Sequence, residues 1–317
     1  MAKKWRKRYV VAAVEAEYGT PPTDMTGATI LEVVSMDGGN PYAGNTVDRE
    51  RMRPTLGAFE QVNTSPYVER GFRVPLSGQG TKGTAPAYGI LLRACGYAET
   101  INADSGTESV VYEPASEGHE SVTLWWIEDD QMQRIPGARG TFTVGADSQG
   151  LPYLEFSFTG LYEKTAAGGD ASLATQGVQA KELPINKQNT VASVDGYAAC
   201  ISSLSFDAGN TVEYRNLINC ESVQITDRAI TGSTNLEAPD LAAQDYFAKV
   251  ESHKGVTLVP LTLTHGAAEG NIVEIASQNV QLSSISPTDN QGIMHYDIGL
   301  RFLPTGGNDN DITLTFK

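Results

Sequence analysis

Cysteine and histidine are scarce in this chain. Its 317 residues include three cysteines, Cys95, Cys200 and Cys220. They are too few and too scattered for a disulfide framework or a cysteine-based metal site, so we expect buried, reduced thiols, which fits folding in a reducing cytoplasm. The four histidines show no metal-ligand spacing, and no cofactor or metal ion is expected.

Basic residues are also few. The chain has 23 Lys and Arg against 38 Asp and Glu, a formal net charge of −15. Phosphate contacts need a basic surface, so this balance opposes general nucleic-acid binding. The one dense basic cluster is an N-terminal arm, which could contact nucleic acid but which we expect to meet an acidic patch on a neighbouring subunit. The arm carries Lys3, Lys4, Arg6, Lys7 and Arg8.

No apolar run is long enough to span a membrane. The N-terminus resembles a signal peptide because basic residues precede an apolar stretch. That stretch, Tyr9–Val14, is short, and the charged residues Glu15 and Glu17 come directly after it. The sequence therefore predicts a basic arm that leads into a first strand.

Most of the chain has the pattern of β-strands. Short β-branched or aromatic runs, bounded by Gly, Pro and Asp, occur in both halves. They cover residues 123–127, 140–146, 153–162, 256–266, 271–285 and 293–302. Within 153–162 and 293–302 apolar and polar residues alternate, which indicates one buried and one exposed or partner-facing side. Each of these two runs is the second strand of a predicted β-hairpin.

Two segments have helical patterns. Residues 84–96 offer Thr84 as an N-cap and Gly96 as a C-terminal stop. Residues 238–255 place Leu241, Phe247 and Val250 on one apolar stripe. Each half thus has several strands, one helix and a closing hairpin.

An internal repeat supports a duplication. The word AGNTV occurs at 43–47 and again at 208–212, and chance predicts such a match only at roughly a few per cent. The flanking words SMDGGN (35–40) and SFDAGN (205–210) match in a different register, which requires a five-residue insertion in the first copy. We therefore predict two tandem related β domains, 1–180 and 181–317, joined near the small, polar stretch 165–180.

Motifs for catalysis or ligand binding are weak. GQGTKG (78–83) satisfies the dinucleotide pattern, but no alternation of strands and helices comes after it, so a loop is favoured. His295 and Asp297 lie two residues apart on one face of a strand and could be a ligand pair, but a polar sheet face is the commoner explanation. The acidic turn 306–311 lacks a calcium-loop pattern. Trp125, Trp126 and Tyr112 could form a sugar-stacking platform, although core burial is commoner. An enzyme is not expected.

One stretch resembles a known family. GTAPAYGILLRACGYAET (83–100) is similar to a signature of tail tube proteins of long-tailed, non-contractile bacteriophages. Residues 13–23, 203–218 and 225–247 resemble the family's opening strand and its second half, in the same order. The words LLRACG and ITDR-x-x-TGS are the more specific ones.

The resemblance implies a structural virion protein that is mainly β. In that family, β-sandwich domains with one flanking helix form rings of six domains, and the rings stack into a hollow tube through which viral DNA leaves the capsid. A chain with two domains would close the ring as a homotrimer with pseudo-sixfold symmetry. The implied partners are further copies of the chain, the tape measure, terminator and distal tail proteins, and duplex DNA in transit, with no membrane. The implied location is the virion tail, assembled in the host cytoplasm.

Two sets of residues are expected to have roles in such a tube. The polar sides of the alternating strands are expected at the lumen, where acidic groups would repel DNA phosphates. These are Glu155, Ser157, Thr159, Asp297, Gly299 and Arg301. The polar loop 37–54 and the N-terminal arm are expected to contact the next ring. The residues concerned are Arg49, Arg51, Arg53, Lys3, Lys4 and Arg6.

Three other interpretations stay open from the sequence. Another tail ring component, such as a terminator or distal tail protein, would share this composition. A secreted carbohydrate-binding β-sandwich would need a signal peptide and an exposed aromatic platform. A dinucleotide enzyme would need a parallel sheet.

Overall fold

The computed structural model describes residues 3–317, without the side chain of Asp37. The chain begins with strands β1 (Arg8–Val14), β2 (Thr29–Ile30), β3 (Ser35–Gly38), β4 (Thr46–Asp48), β5 (Gln61–Asn63) and β6 (Tyr67–Pro75). It continues with helix α1 (Gly89–Ala94) and strands β7 (Tyr97–Asn102), β8 (Ser109–Pro114), β9 (Val122–Glu128), β10 (Gln131–Asp147), β11 (Tyr153–Leu161), β12 (Ala166–Ala167) and β13 (Thr175–Gln176).

The second half has the same kinds of element. Its first strands are β14 (Thr190–Val194), β15 (Ile201–Asp207), β16 (Asn210–Leu217), β17 (Cys220–Arg228) and β18 (Thr231–Glu237). Helix α2 (Tyr246–Val250) precedes β19 (Leu258–His265), β20 (Val273–Asn290), β21 (Ile293–Phe302) and β22 (Thr313–Phe316). The expectation of a mainly β protein is confirmed.

Eight strands form one sheet that crosses both halves, which we call the main sheet. Its order is β3, β6, β11, β10, β15, β18, β21, β20, and every neighbouring pair is antiparallel. Further strands pack beside it: β2, β1 and β9 join the first part of β10, and β14 and β19 join the first part of β20. The long strands β10 and β20 each change pairing partners along their length.

A bulge explains how β10 changes partners. It pairs with β9 up to Ala138 and with β11 from Arg139 onward, and its register shifts between Ile135 and Ala138. Pro136 and Gly137 lie in that shift, and Gly137 has φ +60°. Such irregularities bend a strand and redirect its edge. One apolar core fills the space behind the main sheet and includes residues of both halves.

The two halves pair their strands in the same order. In the first half the order is β1, β9, β10, β11, β6, β3, and in the second it is β14, β19, β20, β21, β18, β15. Each half also inserts a hairpin at the same place, β4–β5 between β3 and β6 and β16–β17 between β15 and β18. In each half, the strand directly following this hairpin is itself followed by the helix: β6 precedes α1, and β18 precedes α2.

Two glycines show the same geometry at equivalent places. Gly39 comes after β3 with φ +103°, and a Cβ there would lie 2.1 Å from the Glu69 carbonyl oxygen. Gly209 comes after β15 with φ +62°, and a Cβ there would lie 2.1 Å from the Ala229 carbonyl oxygen. These glycines correspond in the SMDGGN and SFDAGN words, whereas Gly44 of the first AGNTV meets different neighbours.

The predicted helices are too long. Only Gly89–Ala94 of the segment 84–96 is helical, and its N-cap position is Tyr88 rather than Thr84. Turns precede the helix, since Gly89 N–H donates to the Pro86 carbonyl. In the second segment only Tyr246–Val250 is helical, and Asp245 caps it by accepting from Ala248 N at 3.0 Å.

The predicted apolar stripe on that second helix is only partly right, since Val250 packs against the core but Leu241 does not. Leu241 is 60% exposed because it lies in the turns before the helix. Tyr246 supplies the buried contact instead, and Phe247 packs edge-on against Tyr296 at 5.3 Å between ring centroids.

The cysteine prediction holds for one residue of three. Cys95 is buried at the end of α1, but Cys200 and Cys220 are exposed. Cys220 begins β17 at the turn of the β16–β17 hairpin, and Cys200 immediately precedes β15. Neither position is covered by the core.

The stretch 165–180 is held in place by strand pairing at two points. Ala166 and Ala167 of β12 pair with β10, and Thr175 and Gln176 of β13 pair with β2. Ala171 packs in a small apolar cluster with Trp125. Within residues 3–317, no helix is long and apolar enough to cross a membrane.

Candidate functional site

All six candidate lumen residues lie on one face of the main sheet. Cross-strand pairs connect them across the two halves of the chain. Glu155 is opposite Thr143, Thr143 opposite Asp207, and Asp207 opposite Thr231. Thr231 in turn lies opposite Arg301. Directly paired residues share a face, so two strands that are far apart in sequence present one polar surface.

The other candidates belong to neighbouring rows of that surface, which we call the polar face. Ser157, Asp297 and Arg301 are exposed, and Glu155, Thr159 and Gly299 are half-buried. The opposite side of the same two strands is buried. It carries Leu154, Phe156, Phe158, Ile298, Leu300 and Phe302.

Acidic residues outnumber basic ones on the polar face. The acidic ones are Glu69, Asp147, Glu155, Asp207, Glu237 and Asp297. The basic ones are Arg73, Arg139 and Arg301. Arg73 is bound to Glu155 with Nη2 at 2.8 Å from Oε2, so part of the positive charge is compensated locally. The face is therefore acidic overall.

The hairpin β16–β17 closes one end of the polar face. Arg139, opposite Thr159, donates to the Val223 carbonyl at 2.9 Å and to Gln224 Oε1 at 3.0 Å. Burial lowers the pKa of the Arg139 guanidinium. The same hairpin packs Tyr214 against Tyr67, with 4.8 Å between the ring centroids. Thr159 lies beside this covered end, whereas Ser157 and Asp297 lie on the open part.

The three arginines of loop 37–54 are exposed. Arg49 pairs with Glu60 at 3.0 Å, and Arg51 donates to the Glu50 carbonyl at 3.1 Å. Arg53 donates to the Ala58 carbonyl at 3.0 Å and lies 4.3 Å from the ring centroid of Phe59. In and beside the loop, Met52 and Leu56 expose their apolar side chains almost completely. The surface thus offers cations and apolar groups to solvent.

The basic arm binds an acidic turn of its own chain. Lys3 Nζ lies 2.5 Å from Asp130 Oδ1, and Lys7 Nζ lies 3.5 Å from Asp129 Oδ1. The Lys4 backbone N–H also donates to Asp129, at 3.2 Å. These contacts are on the surface and are individually weak. A contact of the arm with a neighbouring subunit stays a prediction.

The other motifs have structural roles. Residues 78–83 form a connection between the halves: Gly80 N–H donates to the Gly270 carbonyl at 2.9 Å, and a Cβ at Gly78 would lie 2.0 Å from the same oxygen. The aromatic platform is ruled out because Trp125, Trp126 and Tyr112 are all buried.

His295 and the turn 306–311 have protein partners. His295 Nδ1 lies 2.8 Å from Asn235 Oδ1. Arg228 binds Asp309 at 3.0 Å and Asp311 at 3.4 Å. Burial raises the pKa of Asp309, but hydrogen bonds from Ser116 and Arg228 lower it below its ordinary value. In the described part of the chain, no group of His, Cys, Asp and Glu residues is placed to hold a metal ion.

Sequence reasoning missed several residues of these surfaces. Arg73 and Asp207 belong to the polar face, and the alternation in residues 68–74 and 203–207 could have indicated them. Leu217 and Ile218 at the tip of β16–β17 are exposed, Ile218 at 94%. Only the topological match with loop 37–54 draws attention to that tip.

Comparison with known families gives one match. The model of the family described as phage tail tube protein matches residues 5–317. A search of curated proteins found no match. The matched range includes the main sheet, both hairpins and both helices.

Proposed function

Because this chain belongs to the phage tail tube protein family, we propose that three copies close into a ring and that stacked rings form the wall of a hollow tube. The chain is a structural component of the virion tail. In this proposal the tube is the conduit through which viral DNA passes into the host. The observation that carries it is the main sheet, with one polar and one buried face, built from both halves of the chain.

The trimer is the consequence of a tandem duplication. We propose that residues 1–180 and 181–317 are two related domains. The identical order of strand pairing, the hairpin at the same place and the shared geometry of Gly39 and Gly209 support this. Six domains around a ring then correspond to three chains with pseudo-sixfold symmetry.

The dimensions are compatible with a DNA conduit. Eight strands from each of three copies would make a 24-stranded barrel. With strands about 4.7–4.9 Å apart and tilted by about 35–45°, such a barrel is about 50 Å across between opposite backbones. Side chains reduce this width but leave room for a duplex.

The polar face is the side we assign to the lumen. Glu155, Asp207 and Asp297 would present negative charge to the duplex, and like charge prevents the DNA from binding the wall. Ser157 and Gly299 are small residues between the charges. The apolar face cannot line the channel because it is already covered by the core.

Contacts between rings are assigned to the projecting loops. The loop with Arg49, Arg51 and Arg53 and the hairpin β16–β17 occupy equivalent places in the two domains. Both regions expose apolar side chains. Stacking of this kind is head-to-tail and leaves an open end that can grow. The basic arm with Lys3, Lys4 and Arg6 is assigned to the same contact.

The proposed partners are those of a tail under assembly. Copies of the chain form the wall, and the tape measure, terminator and distal tail proteins meet it inside and at its ends. Assembly takes place in the cytoplasm of the bacterial host. Neither a cofactor nor a catalytic residue is part of the proposal.

Negative-stain electron microscopy of the purified protein tests this function. We expect tubes of stacked rings at high protein concentration. Single rings that do not stack would favour a terminator or distal tail protein. Compact monomers at every concentration would contradict self-assembly. Light scattering on the same samples provides a control for aggregation that microscopy could mistake for assembly.

A further inference from the structure

Two exposed thiols lie at opposite ends of the second domain. Cys200 directly precedes β15, and Cys220 lies at the turn of the β16–β17 hairpin, which begins after β15 ends. The hairpin does not fold back along β15, because its Tyr214 packs against Tyr67 at the start of β6. The seven residues of β15 therefore separate the two thiols by about 20 Å or more. A disulfide needs Cα atoms about 4.4–6.8 Å apart, so the two thiols of one chain cannot bond to each other.

An apolar cavity opens beside Cys200. Its volume is about 390 Å³, and it lies between β14 and the segment that leads into β15. Ile185, Ile201, Leu204 and Leu263 line it together with Cys200. A cavity of about 150 Å³ already holds a benzene-sized group, so this one has room for two aliphatic side chains.

The hairpin tip, which we define as Leu217–Cys220, carries two exposed apolar side chains. Ile218 is 94% exposed, and Leu217 is exposed as well. Leu217 and Cys220 lie directly opposite each other across the hairpin, so their side chains share one face. A contact that places Leu217 and Ile218 in an apolar cavity therefore also brings Cys220 to the rim of that cavity.

The face of the hairpin that carries Leu217 and Cys220 is directed away from the first domain. Tyr214 and Val223 lie opposite each other on the other face. The Tyr214 hydroxyl donates to the Pro66 carbonyl at 3.1 Å, and Val223 is fully buried. Because these contacts hold the hairpin against its own chain, the outward face is free to meet a second copy.

The first domain repeats the arrangement of projection and cavity. Loop 37–54 is at the place of the hairpin and also exposes apolar side chains. A cavity of about 540 Å³ lies beside Ile30, and Ile30 precedes Ser35 by five residues as Cys200 precedes Ser205. Each domain thus has an apolar projection at one end of the main sheet and a cavity at the other. Head-to-tail stacking brings such ends together.

We propose that the hairpin tip of one copy inserts into the Cys200 cavity of a copy in the adjoining ring, and that Cys220 and Cys200 then form a disulfide between the rings. This inference rests on the proposed tube. The bond does not form during assembly, because the host cytoplasm keeps thiols reduced. It forms after the virion leaves the host, and it makes the stacking of rings covalent.

The oxidation consumes dioxygen dissolved in the medium. Two S–H bonds break and one S–S bond forms, with the loss of two protons and two electrons. Dioxygen takes up both protons and both electrons and becomes hydrogen peroxide. The cavity holds the two sulfur atoms together, which replaces an encounter between separate chains. Cys95 takes no part, because it is buried at the end of α1.

Electrophoresis without reductant tests the bond. Wild-type tubes are assembled with reductant, transferred to medium without it, oxidised by dioxygen with copper–phenanthroline, and alkylated before denaturation. We expect a ladder of covalent multimers, because each chain contacts one ring above and one below. Cys200→Ser and Cys220→Ser should each assemble but lower the yield of multimers at least about tenfold. Multimers that persist in either single variant would overturn the proposed pair.

The matched control moves one thiol to the cavity of the first domain. Cys200→Ser combined with Ile30→Cys keeps Cys220 at the hairpin tip and places its partner at the equivalent position. In the proposed contact this position is out of reach, so the yield of multimers should be at most about one tenth of the wild-type yield. Equal yields would overturn the assignment to the cavity of the second domain.

Ile218→Asp tests the insertion, with Ile218→Val as its control. Both variants should fold, because the side chain is almost fully exposed in the single chain. A carboxylate loses its hydration in an apolar cavity, so Ile218→Asp should lower the yield of multimers at least about tenfold, whereas Ile218→Val should keep it. Wild-type yields from Ile218→Asp would overturn the insertion.

The outcomes distinguish this inference from the tube function. Wild-type tubes that oxidise without a ladder would overturn the disulfide and leave the tube function standing. Absence of any rings or tubes would instead overturn the proposed function and the bond between rings together.

Discussion

Asn210 connects the two most distinctive words of the sequence. Its Nδ2 donates to the Cys95 carbonyl at 2.6 Å and to the Gly140 carbonyl at 3.0 Å. Cys95 belongs to the LLRACG word, in which Leu91 and Leu92 are buried, and Gly96 ends that word with φ +78°. Asn210 of the second AGNTV word thus hydrogen-bonds a carbonyl at the C-terminal end of α1, in the other half of the chain. Local sequence patterns could identify both words but not this contact, which depends on the tertiary fold.

His265 makes the stability of the unassembled protein depend on pH. It is 3% exposed, its Nδ1 lies 2.8 Å from Thr190 Oγ1, and burial lowers its pKa below the ordinary value of 6.5. The unfolded chain therefore binds the proton more tightly than the folded chain. The contribution of neutral His265 to the free energy of unfolding is complete above about pH 6.5, and it is lost as the pH falls through the lower pKa of the folded chain. We predict that His265→Gln flattens the decline of the urea midpoint below about pH 6.5.

The control for that measurement is His253→Gln. His253 is exposed, so its replacement should leave the slope of the wild type unchanged. Equal slopes for all three proteins would contradict the assignment to His265.

At the scale of elements, strand patterns were more informative than helix patterns. The run 293–302 coincides with β21, and 153–162 coincides with β11 to within a residue. Alternation determines such strands directly because one face is buried. The helices are a few residues long and are fixed by packing and turns, so propensity and capping signals placed their starts too early.

The two equivalent glycines provide a prediction for the loop connections. Gly39→Ala and Gly209→Ala should each lower the free energy of unfolding by more than about 2 kcal/mol, because positive φ and a clash with a backbone carbonyl act together. Urea denaturation measures the loss. Gly196→Ala is the control, since its φ is +74° but no atom lies within 4 Å of the added Cβ, and about 1 kcal/mol is expected. Equal losses for all three variants would show that the close backbone approach is unimportant.

The arginine loop provides a prediction for stacking. Replacing Arg49, Arg51 and Arg53 together by Gln should leave soluble, folded protein, because these side chains make only surface contacts. Tube formation should fall at least about tenfold if they pair with the next ring. Sedimentation of tubes from monomers measures the effect.

A triple variant of equal charge change is the control. Lys181, Lys187 and Lys254 are exposed and lie outside the loop, and their replacement by Gln should not reduce tube yield. Unchanged assembly of the arginine variant, or equal losses in both, would contradict a specific role for the loop.

At the scale of the whole molecule, the repeat was visible in the sequence but the sheet order was not. The matching words and the two hairpins predicted two related halves, and the relation stays a prediction that the shared pairing order supports. No local pattern indicates that β10 pairs with β15 across the halves, since pairing partners depend on the assembled topology. The polar face was predicted from two strands and extends over eight.

A cryo-electron microscopy map of assembled tubes tests the central claim most directly. We predict rings of three chains, a 24-stranded barrel built from the eight main-sheet strands of each copy, and Glu155 and Asp297 facing the channel, with α1 and α2 outside the barrel. Rings of six chains, or helices α1 and α2 against the channel, would contradict it.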